Sequence, residues 1–291
     1  MDGVIALVTI DEARHHDTDL QLLADALGRS GATVELVNWD DAAADWKRFV
    51  AAIVRSPWDY HWRLAEFLSW ADRVSHETKL FNSADVLRWN TDKVYLRDAV
   101  EFGVPVIPTA FVTDDTGVDT VVLPMDVVVK PTVSAGSNDT LRFVDDEAGA
   151  RAHIRHVLSL GKKAMVQPYQ ARVDDRGETG LLFFNGVYSH AFCKAAILSQ
   201  GESERNGLFV VEEITSRTPR ADEIAVGEKV LDLLRSRFGE APLYARIDMV
   251  DGDDGAPLVM EIELAEPSMF FHVAEGSADR YADAILARVA R

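Results

Sequence analysis

The stretch PLVMEIELAEPSMFF, Pro257 to Phe271, sets Glu261, Glu263 and Glu266 in and beside a run that otherwise has the composition of a buried strand. Residues i and i+2 of a strand share a face, so Glu261 and Glu263 stand side by side, about 6.5 Å apart at their Cα atoms. Across the turn DGDDGAP, the segment ARIDMV supplies Arg246 and Asp248, again on one face. A hairpin that sets Asp248 opposite Glu261 also sets Arg246 opposite Glu263, and three carboxylates then converge with one guanidinium. Three hard oxygen donors are what Mg²⁺ or Mn²⁺ takes, the other positions going to water and phosphate oxygens. A solvated outer face with an Arg–Glu cross-strand pair is the structural alternative. The flanking LVM and MFF favour a packed sheet.

The chain has 291 residues, enough to bury a core without disulfides or structural zinc. Its hydrophobic fraction of 47% and charged fraction of 27% are globular values. No apolar run approaches the roughly 18 residues of a membrane span. The N-terminus MDGVIALVTIDEARHH has neither a basic n-region nor a small-residue cleavage site, so a cytoplasmic protein is expected. The formal net charge of −18 repels nucleic acid and anionic lipid, and no basic patch offsets it. No nucleic-acid or membrane partner is expected. Cys193 is the sole cysteine, which excludes an intrachain disulfide, and it reads as a buried core thiol.

The first 80 residues alternate apolar strands (VIALVTI, TVELVNW, AAIVRS, KLFNS) with amphipathic helices over DTDLQLLADALGRSG and about Tyr60 to Val74. This is the pattern of a parallel sheet covered by helices. Within RSPWDYHW, Arg55, Asp59, Tyr60 and His61 cluster at a strand end, where open α/β sheets bind ligands. A capped loop serves as well for that segment. From about Asp85 the texture changes to a capped helix in NTDKVYLRDAVEFG, the strand MDVVVKPT ending at Lys130, and the small-residue loop SAGSNDT. There follow a helix from about Asp145 to Leu160, AMVQPYQ, the hairpin GLLFFNGVYSHAFCKAA, the polar loop SQGESERNG and the strand LFVVEEI. Further helices cover about Asp222 to Phe238 and Ala278 to Ala290. An α/β portion is thus followed by two mostly antiparallel α+β portions, with boundaries at 1–88, 89–170 and 171–291.

The glycine-rich nucleotide loops, the H-E-x-x-H zinc motif and the G-x-S-x-G elbow are all absent. Phosphate would need placed cations instead. Lys130, ending a buried strand ahead of Pro131 and a flexible loop, suits that task, and Lys93 at a helix start is a second candidate or an ordinary surface residue.

The ordered set Lys93, Lys130-Pro131 with its loop, VQPYQ, GETGLLFFNG, RID and VMEIEL resembles the ATP-grasp superfamily, in the branch of glutathione synthetase and D-alanine-D-alanine ligase. The resemblance spans roughly the last 200 residues by motif and the first 80 by element order. It implies a parallel-sheet N-terminal domain, a central lid-like domain and an antiparallel C-terminal domain. By position, Lys93 and Lys130 resemble the lysines on the α- and β-phosphates of ATP, and Ser134, Gly136 and Ser137 the closing loop. Gln167 and Tyr169 lie in what resembles the adenine linker, Glu178 matches the ribose acid, and Asp248, Glu261 and Glu263 match the Mg²⁺ ligands. Arg246 is similar to the arginine that stabilises the acyl phosphate, with Lys194 near it. Two positions depart: many relatives have asparagine at Glu263, and glutathione synthetase has arginine at Gly180.

The implied activity is ATP-dependent carboxylate activation followed by C–N bond formation on a small amino-acid substrate. The texture is also similar to the O-ureidoserine cyclo-ligases of antibiotic pathways, whose product is D-cycloserine. Arg55, Asp59, Tyr60, His61 and His272 are the expected substrate contacts, although each histidine suits a structural role as well. SQGESERNG and the closing loop are the expected lids. An intermolecular amino-acid or peptide ligase and a non-catalytic ATP-binding module are the alternatives, and the resemblance allows a homodimer.

Overall fold

The computed structural model describes residues 3–196 and 213–291. The first sheet holds β1 (Val4–Thr9), β2 (Thr33–Asn38), β3 (Phe49–Val54) and β4 (Lys79–Phe81), all parallel in the order β2-β1-β3-β4. Helices α1 (Thr18–Arg29) and α2 (Leu64–Ser75) join its strands. The helix expected from Tyr60 is split. A 3-10 turn covers Tyr60–Trp62, and Arg63, with φ −131° and ψ 37°, interrupts the helical path before α2 begins.

Helix α3 (Ala84–Asn90) is capped by Ser83, whose Oγ accepts from Val86 N. The capped helix expected over residues 90–103 is a 3-10 turn at Lys93–Tyr95 running into α4 (Leu96–Glu101), with Asp92 capping the turn. The second sheet is antiparallel in the order β5 (Ala110–Val112), β8 (Ala164–Pro168), β6 (Asp126–Pro131), β7 (Leu141–Val144). The short α5 (Asp115–Thr120), which periodicity did not announce, and α6 (Glu147–Ser159) accompany it, with Ile154 and Val157 packing on Val127 and Val166.

After α7 (Val173–Arg176), the third sheet is antiparallel in the order β11 (Ile214–Ser216), β10 (Val187–Lys194), β9 (Glu178–Phe184), β12 (Tyr244–Asp251), β13 (Pro257–Glu263). Helix α8 (Ala221–Phe238) covers one face. Helix α9 (Ser277–Val289) joins Tyr281 and Ile285 to a cluster holding Leu23 of α1 and Leu182 of β9, so the first and third sheets share one core. The loop SQGESERNG and all of LFVVEEI before Glu213 lie outside the described residues. Cys193 is half-buried on β10, not a core thiol, because the strand leaves the core after Phe192. Among the described residues no helix is long and apolar enough to cross a membrane.

Strand β13 ends the sheet, and its open backbone edge is closed largely by side chains. Asn90 Nδ2 donates to Ile262 O (2.7 Å) and its Oδ1 accepts from Leu264 N (2.7 Å), while Tyr95 OH takes both polar groups of Ile262 at 2.8 Å. Asn82 donates to Tyr244 O and Leu264 O and accepts from Leu243 N. Buried backbone groups need such partners. An Asn90→Ala variant leaves Leu264 N–H unpaired, whereas Ile262 O keeps Tyr95. The expected loss is about 1–3 kcal/mol of stability, read by urea denaturation; an unchanged midpoint and slope would contradict this account of the edge.

Candidate active site

Between the second and third sheets lies a cavity of about 540 Å³. Its third-sheet wall follows from the register of β12 and β13: Asp248 pairs with Glu261 and Arg246 with Glu263, the pairing expected from the turn. A bulge then shifts the register, so that Met249 faces Val259 and Met260 is the extra residue. Val259 and Ile262 both enter the core, while Met260, Glu261 and Glu263 line the cavity. Simple alternation could not do this. Arg246, Asp248 and Val250 present the matching face of β12.

Asp248, Glu261 and Glu263 each meet a cation. Arg246 Nε lies 3.0 Å from Asp248 Oδ1, Nη2 bonds Asp248 Oδ2 at 2.8 Å and also Glu263, and Nη1 donates to Ser268 O. Lys93 is 5% exposed; its Nζ lies 2.9 Å from Glu261 and donates to Ser134 O at 2.8 Å. Burial opposes the charge on Glu261, yet Lys93 and then Lys130 hold its carboxyl below the usual range. Glu263 goes the other way: burial, reinforced by Asp248, Glu261 and Glu266, outweighs Arg246 and pushes it well up. Glu266 rises to about 7, mainly by burial, with the Tyr60 hydroxyl donating to it. Among the described residues no three His, Cys, Asp or Glu side chains form a metal cage, because Asp248 and Glu263 are drawn onto Arg246 and Glu261 onto Lys93.

The opposite wall carries Val128 and Lys130 of β6, Gln167 of β8, and Tyr169. Lys130 is 8% exposed, and its ammonium has no hydrogen bond or ion pair among the described residues. Burial, together with Lys93 and Lys194, lowers its pKa. A buried cation without a partner calls for an anion. Gln167 Nε2 donates to Thr109, and the Tyr169 ring is covered on one side by the Arg142 guanidinium, 3.3 Å from its centroid. Ser134, Gly136 and Ser137 roof the cavity. Glu178 and Lys194 sit opposite each other on β9 and β10, with Lys194 Nζ 3.9 Å from Glu178. Lys194 thus stands beside Glu178 and lines the same cavity as Arg246. At Gly180 a Cβ would lie 2.1 Å from the Phe192 ring, which accounts for the missing arginine there.

The first sheet contributes the remaining wall, and here the expected substrate contacts divide. His61 and His272 line the cavity; Arg55, Asp59 and Tyr60 do not. Arg55 is fully buried and donates to Pro267 O, Asp59 accepts from Trp39 Nε1 and Arg63, and Tyr60 lies behind Glu266. These three side chains are engaged with the protein around the strand end and stand behind the cavity lining. Composition did not single out Asp17, Asp19 or Ser268, which line the cavity. Asp19 accepts from the backbone N–H groups of Met269, Phe270 and Phe271 at 2.6–3.0 Å, tying α1 to the segment after β13. Its only sequence signal was an acid at a helix start.

The comparisons with known proteins agree with this architecture. The family model for the N-terminal domain of D-cycloserine synthetase DcsG matches residues 5–82. The cycloserine biosynthesis protein DcsG of Streptomyces lavendulae is 38% identical over 303 aligned residues, covering 99% of each chain. The chain belongs to the D-cycloserine synthetase family. A crystal structure of D-cycloserine synthetase DcsG matches with a TM-score of 0.90 at 37% identity, over 99% of this chain and 100% of that one. The RimK-domain ATP-grasp protein of Sphaerobacter thermophilus (TM-score 0.67, 18% identity, 96% and 98% covered) and D-alanyl-alanine synthetase A of Vibrio cholerae (0.69, 12%, 99% and 97%) share the fold. The D-cycloserine synthetase family thus has the ATP-grasp fold expected from the sequence.

In this family member His61 also carries a pH signature. Burial, with Lys162 and Lys93 nearby, lowers its pKa to about 4. The unfolded chain therefore takes up this proton first, near pH 6.5, and the folded protein resists it until about pH 4. Stability from this group is complete above pH 6.5 and falls as pH drops to about 4. A His61→Phe variant is expected to lose less stability across that window than the parent; parallel urea-denaturation profiles would refute it.

Proposed function

We propose that the protein is an ATP-dependent carbon-nitrogen ligase that converts O-ureido-D-serine into D-cycloserine. The observation that carries the reading is Lys130, a buried ammonium with no hydrogen bond or ion pair among the described residues, on the wall facing the Asp248, Glu261 and Glu263 carboxylates. A triphosphate chain supplies the anion that Lys130 lacks. The acids fit Mg²⁺ in donor chemistry, being hard oxygens on one face, and Asp248, Glu261 and Glu266 add to the burial that already pushes the Glu263 carboxyl up. Magnesium, held by Asp248, Glu261 and Glu263, would neutralise phosphate charge. Mn²⁺ suits the same donors.

In this reading Lys93 and Lys130 bind the phosphates, Gln167 and Tyr169 border the base, and Glu178 takes the ribose hydroxyls. The substrate carboxylate attacks the γ-phosphorus and ADP departs, leaving an acyl phosphate. Arg246, fixed by Asp248, Glu263 and the Ser268 carbonyl, orients its charge toward that group. The ureido nitrogen then attacks the acyl carbon, phosphate leaves and the five-membered ring closes. Hydrolysis of the remaining carbamoyl group releases carbon dioxide and ammonia. No protein nucleophile is required, since phosphoryl transfer rests on positioning and charge. The roof loop serves to keep water from the acyl phosphate.

Phosphate release with ATP, Mg²⁺ and O-ureido-D-serine as the sole amino acid tests the ring closure. Turnover without an added amine is expected; turnover only with a second amine would favour an intermolecular ligase. Lys130→Met should weaken ADP binding by about tenfold or more in calorimetry while leaving stability equal or higher, because a buried unpaired charge is removed. A variant that binds ADP like the parent would remove Lys130 from the phosphate site.

A further inference from the structure

His61 lies in the 3-10 turn Tyr60–Trp62, lines the cavity and is 3% exposed. Its Nδ1 is 2.9 Å from the Trp58 carbonyl oxygen. A carbonyl can only accept, so Nδ1 carries the hydrogen and Nε2 is left with a lone pair. That Nε2 is buried and has no hydrogen-bond partner among the described residues. An unpaired buried acceptor destabilises the fold, and a ligand that donates to it recovers that cost. Asp17 Oδ2, on the same wall, is a second buried acceptor with no hydrogen bond among the described residues; Arg55 Nη2 stands 3.9 Å away.

The chemistry of the missing donor is narrow. Ionised carboxylate and fully ionised phosphate have no hydrogen to give. Lys162 and Lys93 act against positive charge at the His61 ring, and the same field disfavours an ammonium there. A neutral N–H or O–H group remains. We infer that His61 is the specificity residue for the nitrogen-bearing end of the substrate, its Nε2 accepting a hydrogen bond from an N–H of the neutral ureido group. This rests on the ring-closure reading and adds to it the wall against which the attacking end lies, the one built by the connection between β3 and α2.

The test compares the parent and His61→Phe with the ureido amino acid, and with free D-serine as a ligand lacking the ureido group. His61→Phe is expected to raise the KM and Kd for the ureido amino acid by about tenfold to a hundredfold, with ADP affinity and D-serine affinity unchanged. Equal KM and Kd values in the two proteins overturn the proposal, as does equal weakening of both amino-acid ligands. Failure of the parent to turn over the ureido substrate sinks the ring-closure reading itself, and the proposal with it. A measurement on the unsubstituted protein stands even if the variant does not fold. The Nε2 ¹⁵N resonance of His61 should move upfield on adding the ureido amino acid and stay in place with D-serine; no movement with the ureido compound refutes the hydrogen bond.

Discussion

Carboxylates crowded onto one face of a packed sheet cannot all be charged unless cations lie among them, and this constraint shapes the centre of the molecule. Asp248, Glu261 and Glu263 face one cavity, and Arg246 and Lys93 are placed to answer them. The compensation is incomplete. Glu261 is held ionised by Lys93, whereas Glu263 is pushed toward its neutral form despite its bond to Arg246. Across the cavity the problem has the opposite sign: burial lowers the pKa of Lys130, and Lys93 and Lys194 offset the support it takes from Glu261 and Glu178. A ligand that is anionic on one side and accompanied by divalent cations on the other relieves both.

The geometry of this charge arrangement depends on how β13 is held. An edge strand bearing acids on one face is a weak support by itself, because half its backbone groups lack a strand partner. Asn82, Asn90 and Tyr95 supply those partners from segments that precede the second sheet, and the bridge at Val106–Val259 continues the closure. The bulge at Met260 allows Val259 and Ile262 to anchor in the core while Glu261 and Glu263 remain toward the cavity. Packing, edge closure and carboxylate placement are therefore one structural problem, and changes in residues far from the acids reach them through the strand.

Much of this was legible where local rules suffice. The turn between Asp251 and Pro257 fixed the partners of Arg246 and Asp248, and the apolar run before Lys130 put that lysine at a buried strand end. Lys93 was less readable, since its burial comes from Glu261 and Ser134, far along the chain. The group after β3 marks the limit of such reasoning. Arg55, Asp59, Tyr60 and His61 are neighbours in sequence, but only tertiary packing decides that the first three stand behind the cavity lining and His61 meets the cavity. Asp19 was silent for a related reason: its partners are backbone groups about 250 residues away. The bulge, too, leaves no mark in a stretch whose alternation looks regular.

The acid at position 263 stands where many members of the wider superfamily resemblance carry asparagine, and its setting shows how the added charge is accommodated. Arg246 bonds Glu263 and Asp248 together, so the guanidinium answers part of the surplus within the hairpin itself. The same contacts, with the Ser268 carbonyl as a third acceptor, fix the orientation of the arginine before any ligand arrives. Phe192 and Phe270 flank the guanidinium at 5.7 and 5.9 Å, and Phe192 fills the space above Gly180 that a larger side chain would need. Glu263, Arg246, Phe192 and Gly180 are linked by packing: an arginine at position 180 would require Phe192 to move, and moving Phe192 would uncover Arg246. The two departures from the superfamily pattern are parts of one local solution, in which one fixed cation stands among aromatic rings with an extra acid to hold it.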